Sequence, residues 1–394
     1  MRFDFDEIID RRNTCSIKYD FARERGMPEG LIPLWVADMD FRTPPEVVEA
    51  LVSSSQHGIF GYTDVKPDYA DTLVHWFSRR FDWKVDPAWL VKTPGVVFAV
   101  ANAIRAFSKP GDAVLIQQPV YYPFAHMIEL NERVTVNSPL RYENGAYTID
   151  FDDFEQKIVH NKVRLFILCS PHNPVGRVWT AAELERMGEI CLRHGVLIVS
   201  DEIHADFVYP GHRHHILANL SAALRDITIT CTAPSKTFNL AGLQVSNIFI
   251  SDPELRKDFR QEIARSGYSQ LNTLGLCACQ AAYEHGEPWL EELLLYLKGN
   301  LDYSRQFLSE RMPRIRLVEP EGTYLLWLDF KALFGTEESR QRFIVDKAGL
   351  WLDQGTMFGD DGRGFERVNI ACPRSVLQQA LERLEKAYRQ HFGS

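Results

Sequence analysis

RLFILCSPHNPVG (164–176), VLIVSDEIH (196–204) and ITITCTAPSKTFNLAGL (227–243) follow one another closely and share one grammar. Each opens with an apolar or β-branched run of strand length and breaks at polar and turn-forming residues, the pattern of a buried strand. Between the first two lies AAELERMGEICLRHG (181–195), whose spacing predicts an amphipathic helix stopped by Gly195. Strands alternating with helices imply a mainly parallel sheet covered on both faces, an α/β fold. In open α/β sheets ligands bind in the crevice beyond the carboxyl ends of the strands. Asn173, Asp201 and Lys236 each stand at such an end. An amide, a carboxylate and an amine are therefore expected to converge.

Working outward, AVLIQQP (113–119) and NIFIS (247–251) read as further strands. VVFAVANAIRAF (96–107) is apolar on most faces, which predicts a buried helix. Pro44-Pro45 before VVEALVSS marks a helix start, and YADTLVHWFSRRF (69–81) has helical spacing. EPWLEELLLYLKGNLDYSRQFLSERM (287–312) predicts a long helix, after which the pattern changes. TYLLWLDF, GLWLDQG and RVNIACP are strands, and SVLQQALERLEKAYRQHF is a terminal helix. The 394 residues exceed the roughly 250–300 at which single cores divide. We expect a large domain over 46–285, and an arm (1–45) joined to a small α+β domain (286–394).

Composition is that of an ordinary globular protein, with 45% apolar and 25% charged residues. The net charge of −9 comes with no basic block, which argues against nucleic-acid or anionic-membrane binding. Seven cysteines, an odd number without a CxxC pair, suggest a reducing cytoplasmic setting. The acidic start MRFDFDEIIDRR lacks the apolar stretch of a signal peptide, and no run of about 18 apolar residues spans a membrane. No G-x-G-x-x-G follows a strand and no GxxxxGK[ST] occurs, so nucleotide sites of those kinds are not expected. The histidines of GHRHH (211–215) lack metal-ligand spacing, and LCAC (276–279) reads as core.

The three strand ends suit pyridoxal phosphate. Lys236 supplies an amine for an imine with the cofactor aldehyde. Asp201 supplies a carboxylate that keeps a pyridine nitrogen protonated. Glu202, next to it, points to the other face of its strand. Asn173 offers an amide to the ring 3′-oxygen, although before Pro174 it also suits a plain turn. His204 either contacts the same oxygen or packs. Thr93-Pro94-Gly95-Val96-Val97 opens a helix whose bare N–H groups suit a phosphate, with Gly95 and Val96 closest and hydroxyls from Ser235 and Thr232. Tyr121 or Tyr122 can stack on a planar ring. Arg374, after RVNIACP, offers a bidentate fork for a substrate carboxylate, or is a surface residue at a helix start.

On FDEIIDRRNTCSIKYD, PLWVADMDF, HGIFGYT, TPGVV, PVYYPF, SPHNPVGRVW, VSDEIHADF, APSKTFNLAGL, EGTYLLWLD and RVNIACPR, in that order, the chain resembles fold-type I pyridoxal-phosphate enzymes of the class I/II aminotransferase superfamily. DEIIDRRNT and WVADMDF make it similar to the MalY/PatB-type C–S lyases, the cystathionine β-lyases. The resemblance implies a seven-stranded, mainly parallel sheet and a homodimer with shared sites. It casts Lys236 as the cofactor-linked lysine and proton shuttle, Asp201 as partner of the ring nitrogen, and Asn173 as partner of the 3′-oxygen. Tyr121 stacks on the ring, while Gly95 and Val96 meet the phosphate. Arg374 takes the substrate carboxylate, Ala37 borders the substrate, and Tyr62 reaches the neighbouring subunit's phosphate. Two departures from the wider aminotransferase pattern stand out: Gln244 where an Arg commonly follows the lysine, and His204 where a Tyr commonly follows the aspartate.

The expected reaction is β-elimination from cystathionine or cysteine S-conjugates, giving a thiol, pyruvate and ammonia. An aminotransferase is the alternative. A non-catalytic regulator would carry a basic DNA-binding segment, which this acidic chain lacks.

Overall fold

The computed structural model describes residues 2–393. A seven-stranded sheet is built from β1 (Leu90–Thr93), β2 (Ala113–Ile116), β3 (Val134–Asn137), β4 (Leu165–Cys169), β5 (Leu197–Asp201), β6 (Thr228–Thr232) and β7 (Ser246–Ile250). Its spatial order is β1-β7-β6-β5-β4-β2-β3. Neighbours from β6 across to β3 are parallel, and β7 runs antiparallel to both β6 and β1. The sheet is therefore mainly parallel, as the alternation of strands and helices predicts. β1 and β3, at the two edges, are the strands that reading overlooks.

The strand period of two divides the apolar residues between the faces. Leu165, Ile167, Val199 and Ile229 face a helix, α3 (Val96–Phe107), and pack on its Val96, Ala99, Val100 and Ile104. Phe166, Leu168 and Ile198 face the opposite layer, against Leu184, Met187 and Ile190 of α4 (Ala181–His194). Each such side chain contributes about 1.5–3 kcal/mol on burial, which sets the register of every central strand. The same alternation turns Asp201 toward the α3 side and Glu202 away from it. Glu202 instead accepts from Ser200 Oγ (2.8 Å) and pairs with His214 Nε2 (2.7 Å).

α4 begins with a reciprocal capping box between Thr180 and Glu183 and ends at the left-handed Gly195, φ 66°. α1 (Pro45–His57), α2 (Pro67–Phe81) and α5 (Thr273–His285) form the helical layer beside α6 (Glu287–Arg311), whose 25 residues extend roughly 37 Å. Beyond α6, β8 (Arg316–Val318), β9 (Leu325–Asp329), β10 (Asp353–Gln354) and β11 (Phe365–Asn369) form an antiparallel sheet in the order β8-β9-β11-β10, followed by α7 (Arg374–Phe392).

The N-terminal arm is fastened to this second sheet's surroundings. Ile32 and Pro33 pair in parallel with Leu350 and Trp351, and Trp35 stacks on Trp351 at 4.5 Å. Asn369 N donates to Leu34 O at 2.8 Å. Farther out, Asp40 accepts from Lys18 Nζ and Arg11 Nη1, both at 2.7 Å, while Arg11 Nη2 reaches Asp38 at 2.5 Å. This ionic clamp holds the Trp35–Ala37 segment over the carboxyl ends of the large sheet. Among the described residues, no helix is long and apolar enough to cross a membrane.

Candidate active site

A cavity of about 320 Å³ opens at the carboxyl ends of β4, β5 and β6. The large sheet supplies Asn173, Asp201, His204, Ser235 and Lys236, the start of α3 supplies Gly95 and Val96, and Tyr121 and Tyr122 form one wall. The arm contributes Trp35, Val36 and Ala37, and the second sheet contributes Asp353 and Arg367. The cavity is thus walled from both ends of the chain.

Lys236 sits in the one-turn helix Pro234–Thr237, directly after β6. Its Nζ donates to Ala37 O at 2.6 Å, and Tyr324 Oη donates to the same carbonyl at 2.9 Å. Burial lowers the ammonium to about 8; the Asp38 and Asp201 carboxylates oppose that fall and the Arg367 cation adds to it. A fraction of the amine is then free near neutral pH, as a nucleophile or base requires.

Asp201 is buried at the end of β5. Loss of water pushes its carboxyl up to about 7, against a 3.1 Å hydrogen bond from Ile203 N and the charge of Lys236. A cation placed beside it would restore the carboxylate. Asn173 Oδ1 accepts from Arg367 Nη1 at 2.9 Å, which leaves its NH₂ as a donor. His204 is buried with Nδ1 unpartnered among the described residues, and burial followed by the Lys236 and Arg367 charges keeps it neutral. Tyr121 lies edge-on to Phe124 (5.7 Å), and burial keeps its hydroxyl protonated.

Gly95 caps α3 at φ 151° and ψ 157°, a conformation nearly confined to glycine, and a Cβ there would meet nothing within 4 Å. The first N–H groups of α3 have no intrahelical acceptor and border this open space. Ser235 lines it with them, whereas Thr232 donates its hydroxyl to Asn247 O at 2.7 Å and is spent in the sheet.

These residues fit pyridoxal phosphate. The unpartnered His204 Nδ1 and the Asn173 NH₂ can meet ring oxygens, Asp201 awaits a cationic nitrogen, and the Gly95 turn leaves room for a phosphate. Gln244 borders the same end with an uncharged side chain.

Two expected residues stand elsewhere. Arg374 does not line the cavity. Its Nε donates to Asn300 Oδ1 at 2.6 Å and its guanidinium lies 5.1 Å from the Tyr303 ring centre, so it joins α7 to α6. The arginine that lines the cavity is Arg367, seven positions earlier within β11. Its signal in the sequence was a charged residue at the head of RVNIACP, a run that reads as a strand, where burying a charge is costly unless the group has a task. Tyr62 is fully exposed on the loop after α1 and borders a separate shallow depression with Gln244.

The chain is 44% identical over 383 residues to cystathionine beta-lyase PatB of Bacillus subtilis (strain 168), spanning 97% of this chain and 99% of that protein. It is 34% identical over 389 residues to protein MalY of Escherichia coli (strain K12), spanning 98% and 99%. Its structure matches that of cystalysin from Treponema denticola, which contains a pyridoxal 5′-phosphate cofactor, with a TM-score of 0.95, 40% identity and coverage of 99% and 100%. The aminotransferase class I and II profile matches residues 29–384, and the chain belongs to that family.

Proposed function

We propose that this protein is a pyridoxal-phosphate-dependent carbon–sulfur β-lyase acting on L-cystathionine or related cysteine S-conjugates. The observation that carries this is one cavity holding Lys236, Asp201 and Asn173 at three strand ends, with Arg367 facing them. The lyase assignment draws on the 44% identity to cystathionine beta-lyase PatB.

When bound, the cofactor supplies an aldehyde for the substrate amine and a ring that withdraws electrons from Cα. Lys236 takes the Cα proton, its ammonium lowered by burial so that the free amine is available. Asp201 would keep the ring nitrogen protonated. Asn173 and His204 would serve the ring 3′-oxygen, Tyr121 would flank the ring, and Gly95, Val96 and Ser235 would hold the phosphate. Arg367 fixes the substrate carboxylate, and Ala37 and Trp35 close the cavity against water. Lys236 would pass its proton to the departing thiolate as the Cβ–sulfur bond breaks, and water would complete the products pyruvate and ammonia.

We assign residues 46–285 to the large domain, and 1–45 with 286–394 to the arm and small domain. A homodimer is part of the proposal. Ile59, Phe60 and Tyr62 are exposed on one loop, a surface that a second copy would cover, with Tyr62 directed to that copy's phosphate end in this proposal. Seven free cysteines favour the reducing cytoplasm as its location.

The test is pyruvate release from L-cystathionine by the purified holoenzyme without any 2-oxo acid. Many turnovers with equal free thiol support the lyase. Turnover that requires a 2-oxo acid would mark an aminotransferase instead.

A further inference from the structure

Arg367 has its Nη2 fully engaged before any substrate arrives. Its Nη1 donates to Asn173 Oδ1, and Nη2 donates both to Trp35 O (2.9 Å) and to Asp353 Oδ2. Nε is buried and unpartnered among the described residues. A carboxylate binds a guanidinium best through two parallel N–H groups. Both forks of an arginine include Nη2, whose two hydrogens are already committed. One of its partners must therefore yield.

The two partners are not equally free to do so. Trp35 O belongs to backbone fixed on either side: Leu34 N donates to Trp351 O (2.9 Å), and Asn369 Nδ2 donates to Val36 O (2.6 Å). Asp353 reaches Arg367 through a side chain that can rotate. It lines the cavity itself, and Arg367 is the ion-pair partner of its carboxylate.

We infer that Asp353 is a built-in competitor for the substrate carboxylate, an internal anion that neutralises Arg367 in the empty site and is displaced, taking up a proton, when an amino acid binds. This inference rests on Arg367 being the carboxylate site.

The proton follows from the surroundings. Asp353 stays buried after displacement and its cation is then shared with another anion. Two more groups feel its charge: Glu366, on the other face of the sheet with its own arginine, Arg340, and the phenol of Tyr122, held neutral by burial. Neither offers a positive charge. Burial already raises the Asp353 carboxyl above its ordinary value while Arg367 lowers it, and losing Arg367 removes the opposing influence. Sign follows directly: the bound form holds one more proton, so affinity falls as pH rises between the free and bound Asp353 values. The arrangement also favours anions, because a neutral carboxamide gains too little from Arg367 to release the resident charge.

The probe is 3-(methylthio)propanoate, which has a carboxylate and a thioether but no amine. Its binding to the holoenzyme is measured by calorimetry across pH in two buffers of different ionisation enthalpy. We expect uptake approaching one proton per probe bound, and affinity that weakens with rising pH. Asp353→Asn should abolish the uptake and bind the probe at least about tenfold tighter at pH 8, the weight of one charged hydrogen bond. No proton uptake by the wild-type protein overturns the inference, without recourse to any variant. So does an Asp353→Asn protein with unchanged affinity and proton count. If Arg367→Gln binds the probe as well as wild type does, the carboxylate assignment itself fails, which is a separate result.

Discussion

Lys236 Nζ rests 2.6 Å from the carbonyl oxygen of Ala37, a residue 199 positions earlier in the chain. The amine at the centre of the site is thus held by the N-terminal arm. The bond is made through a backbone oxygen, so no side-chain substitution at position 37 deletes it. Substitution of Lys236 itself removes both the anchor for the cofactor and the base. Lys236→Ala should lose at least about 10⁴-fold in pyruvate formation, the upper range for a positioned acid–base group, with the fold intact by circular dichroism.

Asp201 offers a test that needs no turnover. Its folded carboxyl is raised to about 7 from an ordinary 3.8 by burial. The folded apoprotein therefore holds a proton that the unfolded chain has released between those values. Stability supplied by the protonated form is complete below about pH 4 and is lost as pH rises toward 7. Asp201→Asn should remove this dependence and stabilise the apoprotein at pH 7.5 by roughly 2–4 kcal/mol, measured by urea unfolding. Cofactor reconstitution of the same variant should weaken, because an amide cannot support a cationic ring nitrogen.

Arg367 and Arg374 separate by kinetics. Arg367→Gln should raise KM for L-cystathionine by roughly 10–100-fold, the range of one charged hydrogen bond or slightly more. Arg374→Gln should leave KM within about twofold and cost roughly 1 kcal/mol of stability through its lost contacts with Asn300 and Tyr303. Equal effects of the two substitutions on KM would refute the assignment of Arg367.

Gly95 tests the phosphate end. An alanine there meets no neighbour but must adopt φ 151°. Gly95→Ala should cost about 1–3 kcal/mol of folding stability. It should also weaken pyridoxal phosphate binding more than pyridoxal binding, compared by fluorescence titration of the apoprotein.

Asn173, Asp201 and Lys236 were legible in the sequence because each lies within a few residues of a strand whose apolar run announces it. The pattern and the chemistry share one local window. Arg367 was not legible in the same way. It works from inside a strand of the second sheet, and its partners Asn173 and Trp35 lie 194 and 332 positions away. Nothing local links them. Thr232 misled for the opposite reason, since its strand-end position is right but the neighbouring strand claims its hydroxyl. The edge strands β1 and β3 escaped notice because each is only half buried, so Lys92, Thr135 and Asn137 interrupt the apolar signal. Central β4, LFILC, is buried throughout and apolar from end to end, so it carries no such interruption.

The pairing of Ile32–Pro33 with Leu350–Trp351 has a consequence for how the protein comes into being. On the ribosome, the lysine, aspartate and asparagine emerge with their own strands, while the arm waits without a partner. Arg367 follows Lys236 by 131 residues, roughly 7–26 s at about 5–20 residues per second. Through that interval the nascent chain carries an unroofed pocket, its reactive amine open to water and to stray aldehydes. Competence arrives late, when the two ends of the polypeptide meet and the door is hung last.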